Sequence, residues 1–172
     1  MKKWIKALFH SALISFLIMN CPIAHAEIDK TFQPYYNEYM FFIQSSCLPK
    51  DYRYPIRITI HFGKIKKNDN GYDIVGETTY YDSMKIFHNA DIIIDKEHWD
   101  EASKTERFAL IFHELTHAFF IYPDLKSPIY KYHFMYWTSN YVTIWNTKVQ
   151  LMDILESRCS RHRQSETIQS IQ

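Results

Sequence analysis

The chain has 172 residues, with 20 basic against 19 acidic side chains, a formal net charge of +1 at pH 7 and 47% hydrophobic residues. A charge so near balance argues against nucleic acid or an anionic membrane surface as the partner. The length suits one domain that can bury a core without obligatory staples.

The first segment reads as an export signal. Lys2, Lys3 and Lys6 form a basic start, Ala7 to Met19 is an apolar run, Pro22 breaks it, and Ala24-His25-Ala26 is a small-x-small cleavage site. The expected boundary is a signal peptide over residues 1–26 and a mature protein from Glu27, secreted or periplasmic. A membrane anchor is the alternative, but the run is shorter than a spanning helix. A lipoprotein signal ending at Cys21 is another, and Asn20 is a poor residue before such a cysteine. Cleavage removes three lysines and no acid, which turns the charge from +1 to −2. It also removes Cys21 and leaves Cys47 and Cys159. An even count in an exported chain favours a disulfide tying the first helix to the last, with two free thiols as the alternative.

After the signal, Ile28 to Ser46 is rich in aromatics, and Tyr35, Tyr39 and Phe42 or Ile43 recur at helical spacing, so an amphipathic helix is expected on the back of a sheet. Tyr54 to Phe62 alternates, with Ile56, Ile58 and Ile60 against Arg57, Thr59 and His61, as a half-buried strand does. Asn68 to Gly71 is a turn, Tyr72 to Tyr81 a second strand, and Ala90 to Asp95 a third whose isoleucine run suggests burial on both faces. Beyond Pro123 comes a tyrosine-rich loop. Ser139 to Glu156 then places Val142, Trp145, Val149, Met152 and Leu155 on one helical face, and a polar tail, frayed, fills 160–172. The expected architecture is a single α+β domain over 27–159, with a small, mostly antiparallel twisted sheet, a back helix, a central helix and a C-terminal helix.

The central helix carries the chemistry. His113-Glu114-Leu115-Thr116-His117 lies in the apolar stretch Phe108 to Phe120. Histidines four apart lie one turn from each other on the same helix face, where both can bind one zinc ion with Glu114 beside the water it activates. Ser103-Lys104-Thr105-Glu106 has capping-box spacing and starts the helix near Ser103. Phe108, Ile111 or Phe112, Leu115 and Phe119 supply a buried stripe, and Pro123 stops the helix at about Tyr122. A catalytic zinc takes three protein ligands and leaves a position for water. His113 and His117 are two, and Glu114 is the general base. The candidates for the third are, in order, Asp124, just beyond the helix break; His133, in the following loop; and Glu156, on the last helix.

These residues resemble the zincin metallopeptidases, in which a small twisted sheet is followed by an active-site helix bearing HExxH. Ile92-Ile93-Ile94-Asp95, Trp99 and Ile111 to His117 look like small secreted bacterial zincins, and Phe134-Met135-Tyr136 stands where those carry a methionine turn. The resemblance implies a zinc peptidase acting on peptide or protein substrates, with Met135 as an apolar floor below the metal. The pattern departs at three positions: Phe120 replaces the glycine three residues after the second histidine, Pro123 stands at the usual third-ligand position, and Thr116 replaces a common glycine. Tyr130, Tyr132 and Tyr136 are candidates to stabilise an oxyanion, and the strand Ala90 to Asp95 is the candidate cleft rim for an extended peptide. His61, His88 and His98 have no partner at metal spacing. The alternatives to a peptidase are a zinc amidase acting on cell-wall peptides and a non-catalytic binding protein with a degenerate zincin fold.

Overall fold

A computed structural model describes residues 27–48, 57–65, 75–82, 88–136 and 142–169. The expected export signal, the turn at Asn68–Gly71 and the starts of the first two expected strands lie outside these residues. A short strand β1 (Glu27–Ile28) leads into helix α1 (Gln33–Ser45), which carries the chain over to β2 (Ile58–Gly63). β1 and β2 pair in parallel, the arrangement a helical crossover allows. β3 (Gly76–Asp82) and β4 (His88–Asp95) follow, then α2 (Lys96–Glu101), α3 (Lys104–Phe120), a 3₁₀ turn at Pro128–Tyr130 and α4 (Ile144–Gln169).

The α+β class stands, but the sheet is mixed. Its order is β1-β2-β4-β3; β4 is parallel to β2 and antiparallel only to β3. This corrects the expectation of a mostly antiparallel sheet. The parallel pairings escaped the sequence because β1 is too short to show alternation, and because β3 separates β2 from β4 along the chain without separating them in space. The order also moves the cleft rim. Among the described residues, Ala90 to Asp95 lies in β4, paired on both sides, and β3 is the strand at the sheet edge, beside the motif helix.

One face of the sheet holds the core. Ile58, Ile60, Ala90, Ile92 and Ile94 are buried beneath Ile111, Phe112 and Leu115 of α3, while Ile93 on the opposite face is only half-buried. α1 packs beside α3 through Tyr39, whose ring meets Phe112 edge-on at 5.2 Å. The Tyr39 hydroxyl is fully buried and needs a partner. Thr116 provides it at 3.2 Å while donating its own proton to the Phe112 carbonyl at 2.7 Å. Thr116, one of the departures from the zincin pattern, therefore has a structural cause.

Asp95 and Trp99 also serve the scaffold. The Asp95 carboxylate caps α2 by accepting from the His98 amide at 2.8 Å. Trp99 is buried among Phe32, Tyr35 and Phe62, with the Arg107 guanidinium over its ring. At the start of α3 both halves of the capping box form: Ser103 Oγ accepts from the Glu106 amide at 3.3 Å, and Glu106 accepts from the Ser103 amide at 2.7 Å.

α4 differs in length from the expected helix and keeps only part of its expected face: Val142, just before it, and Leu155 are buried. Its buried side carries Thr147, Leu151, Ile154, Leu155 and Cys159, whereas Trp145, Val149 and Met152 are exposed. Large apolar side chains had suggested a face that the cross-links of this helix turn outward. Those cross-links are the Cys47–Cys159 disulfide, which joins the segment after α1 to α4 across 112 residues, and Arg158, which donates to the Phe120 carbonyl at 3.1 Å. The helix also runs through the expected frayed tail to Gln169. No helix among the described residues is long and apolar enough to cross a membrane.

Candidate functional site

α3 delivers His113 and His117 to one face, where their Nε2 atoms lie 2.9 Å apart. Each ring is oriented from behind by a main-chain carbonyl. His113 Nδ1 donates to Phe134 O at 2.8 Å, and His117 Nδ1 donates to Tyr122 O. A hydrogen bond at Nδ1 fixes the tautomer and leaves the Nε2 lone pair facing the site, the arrangement found behind metal-ligating histidines.

The third group is Asp124. Its Oδ1 is 3.1 Å from His113 Nε2 and 3.2 Å from His117 Nε2. These three residues form a group that could hold a metal ion. The donor set fits a cation on its own chemistry, because two imidazole lone pairs and a carboxylate oxygen converge where only a positive charge can satisfy all three. Ligand–ligand distances near 3 Å also suit bonds of about 2.0–2.1 Å to a single ion. Burial by itself lowers the proton affinity of His113, but Asp124, Glu114 and the Phe134 carbonyl outweigh it and the net shift is upward. Asp124 is held well below the ordinary carboxylate range, first by the hydrogen bond with His113 and then by that with His117.

Asp124 reaches this point because the chain turns at Ile121. That residue has φ 50° and ψ 40°, the only non-glycine positive φ among the described residues, and its amide still bonds to the His117 carbonyl at 2.7 Å. The left-handed turn thus falls four residues after the second histidine, one later than the glycine of the related pattern, and the carboxylate also falls one later. The helix stops at this turn, before Pro123.

The other two candidates sit elsewhere. His133 spends its Nδ1 lone pair on the Met135 amide at 3.1 Å and stacks on the Phe134 ring. Burial lowers its proton affinity. Glu156 lies on the exposed side of α4, outside the three-residue group. Met135 is fully buried, and its carbonyl accepts from the Leu125 amide at 2.9 Å, which pins the chain next to Asp124. His61 lies on the opposite face of the sheet and pairs with Asp91 at 3.1 Å.

Glu114 is 4% exposed and points toward β3, where Thr78 Oγ1 donates to its Oε2 at 2.6 Å. Gly76 makes room for it: a Cβ at that position would lie 2.6 Å from Glu114 Oε1. Sequence reading missed Gly76, Thr78 and Tyr80. The signal was their shared parity on a strand, but the partner of that face becomes known only once the sheet order is.

The family described as "Putative phage metallopeptidase" matches residues 4–124, well over half of the chain, in a match that takes in the motif helix and ends at Asp124. No match was found among curated proteins or among solved structures. The chain belongs to this metallopeptidase family.

Proposed function

We propose that the protein is an exported, single-zinc peptidase of the zincin type, with His113, His117 and Asp124 as ligands and Glu114 as general base. The observation that supports it most is the convergence of His113 Nε2, His117 Nε2 and Asp124 Oδ1 within 2.9–3.2 Å, with both imidazoles oriented from behind. Two nitrogens and one oxygen suit catalytic zinc, which takes three protein ligands and a water, better than magnesium or calcium, which favour oxygen shells.

When bound, zinc would bring the pKa of water to about 7 and polarise a carbonyl. The residues supply the rest. Glu114 accepts the proton of the attacking water and passes it to the departing amine. Thr78 occupies one of its carboxylate oxygens, which fixes the direction of the other. The edge position of β3 gives an extended peptide a strand to pair with beside Glu114, so the substrate is a peptide or protein bound in extended form.

The test uses zinc quantification and a quenched-fluorescent peptide library on the protein from Glu27 onward. The expected result is one zinc per chain, cleavage by the wild type, and retained zinc with cleavage lost in Glu114→Gln. Cleavage by the mutant at the wild-type rate would sink the role of Glu114, and a wild type that cleaves nothing and holds substoichiometric zinc would leave a degenerate binding protein.

A further inference from the structure

We propose that Tyr80 is a catalytic residue of this site: its phenolic hydroxyl, presented from the edge strand, donates a hydrogen bond to the scissile carbonyl oxygen as that oxygen takes up negative charge. The inference rests on the peptidase reading and adds a group from outside the motif helix and its loop.

Strand alternation puts Gly76, Thr78 and Tyr80 on one face of β3, opposite Ile94, Ile92 and Ala90 of β4. The first two meet Glu114 directly, one by lending space and the other by a hydrogen bond. Tyr80 is the next side chain on that face, about 7 Å further along the strand. Both the Glu114 and the Asp124 carboxylates are near enough to act on the charge of its hydroxyl. It is 36% exposed, so a substrate lying along β3 can reach it. Burial and then the two carboxylates raise its pKa to about 12. At any working pH it is therefore a donor, and it does not compete with Glu114 for the proton of water.

The chemistry calls for such a donor. As the water oxygen bonds to the carbonyl carbon, Glu114 takes one water proton and the C=O π pair moves onto oxygen. That oxyanion forms in a cleft already lined by the carboxylate of Asp124. A neutral hydroxyl whose hydrogen bond strengthens only as charge develops lowers the barrier without tightening ground-state binding. Collapse returns the pair to C=O, breaks the C–N bond and sends the proton held by Glu114 to the amine nitrogen. The Tyr80 hydroxyl keeps its proton throughout.

The test is Tyr80→Phe, which retains the ring and its packing, assayed as zinc-loaded protein on a peptide that the wild type cleaves. The expected result is a fall in kcat on the order of 100-fold, with KM and zinc content within about 3-fold of wild type. A phosphinic analogue of the same peptide, which mimics the tetrahedral oxyanion, should lose affinity by the same factor as kcat/KM, while binding of the cleaved product peptides stays unchanged. A merely structural tyrosine would shift all these readouts together or none. Unchanged kcat, or a loss that tracks lost zinc, overturns the role of Tyr80 and leaves the peptidase reading in place. A wild-type protein that cleaves no peptide overturns that reading, and this inference with it.

Discussion

The two sides of the candidate site are built in different ways. His113 and His117 stand on α3, a 17-residue helix with a complete capping box and a stripe buried from Phe108 to Leu115, so their spacing is set by helical geometry alone. Asp124 stands on a loop whose path depends on one left-handed isoleucine, on Leu125 bonding to Met135, and on contacts from a helix some 25 residues away. A ligand on a helix needs only its neighbours in sequence; a ligand on a loop needs the rest of the fold.

The sharpest way to break this contrast is to remove the loop ligand. Asp124→Ala should cost most of the zinc and essentially all peptidase activity, since it takes away one of the three proposed protein ligands. His133→Ala and Glu156→Ala should keep zinc at the wild-type level. Metal content measured on the three variants decides between the candidates, and zinc loss in His133→Ala with retention in Asp124→Ala would reverse the assignment.

A smaller effect is expected one layer further out. Gln150 of α4 holds the loop on both sides of His133: its Oε1 accepts from the Phe134 amide at 2.9 Å, and its Nε2 donates to the Tyr132 carbonyl at 3.0 Å. Phe134 is the residue whose carbonyl orients His113. Gln150→Ala should weaken zinc binding about 10- to 100-fold, the range found for groups that orient metal ligands. The metal-free protein should lose little stability. Equal zinc affinity in a competition assay would show that the loop is held without this clasp.

These differences explain what the sequence disclosed. The His113–His117 pair, Glu114 between them, the capping box and most of the buried stripe were legible because each is a local pattern, and Cys47–Cys159 followed from counting cysteines in a chain expected to be exported. Asp124 was legible as the leading candidate only because it directly follows a helix break. The parallel pairing of β2 with β4, the edge position of β3 and the contacts of Gly76 and Thr78 with Glu114 were not, since each joins segments far apart in sequence. On α4 the error had a different cause. Trp145, Val149 and Met152 have the spacing of a buried face, but the disulfide at Cys159 and the Arg158–Phe120 bond turn the neighbouring face inward.

A finer probe of the loop is Ile121 itself. A β-branched residue at φ 50° carries a steric cost of roughly 1–2 kcal/mol, and the side chain is 63% exposed, so little burial is lost on removing it. Ile121→Gly relieves that cost, while the freedom of glycine in the unfolded chain takes back about 0.5–1 kcal/mol. The variant should therefore be as stable as the wild type or more stable by up to about 1 kcal/mol, with unchanged zinc affinity. A clear loss of stability in chemical denaturation would mean that the turn is held by the isoleucine side chain rather than endured by it.

The smallest expected effect is also the one that separates a proton from a metal at the same three atoms. In the metal-free protein the proton affinity of His113 is raised by the net pull of Asp124, Glu114 and the Phe134 carbonyl against burial. A folded-state pKa above the unfolded value means that this pair contributes stability fully below about pH 6.5, the ordinary histidine value, and loses it as pH rises through the folded value. The stability gap between metal-free wild type and Asp124→Asn should thus widen as pH falls from about 8 to about 6. Zinc-loaded protein should slope the other way, because protons compete with the metal for the same lone pairs. Parallel slopes for metal-free and zinc-loaded protein would mean that the ion does not sit between His113, His117 and Asp124.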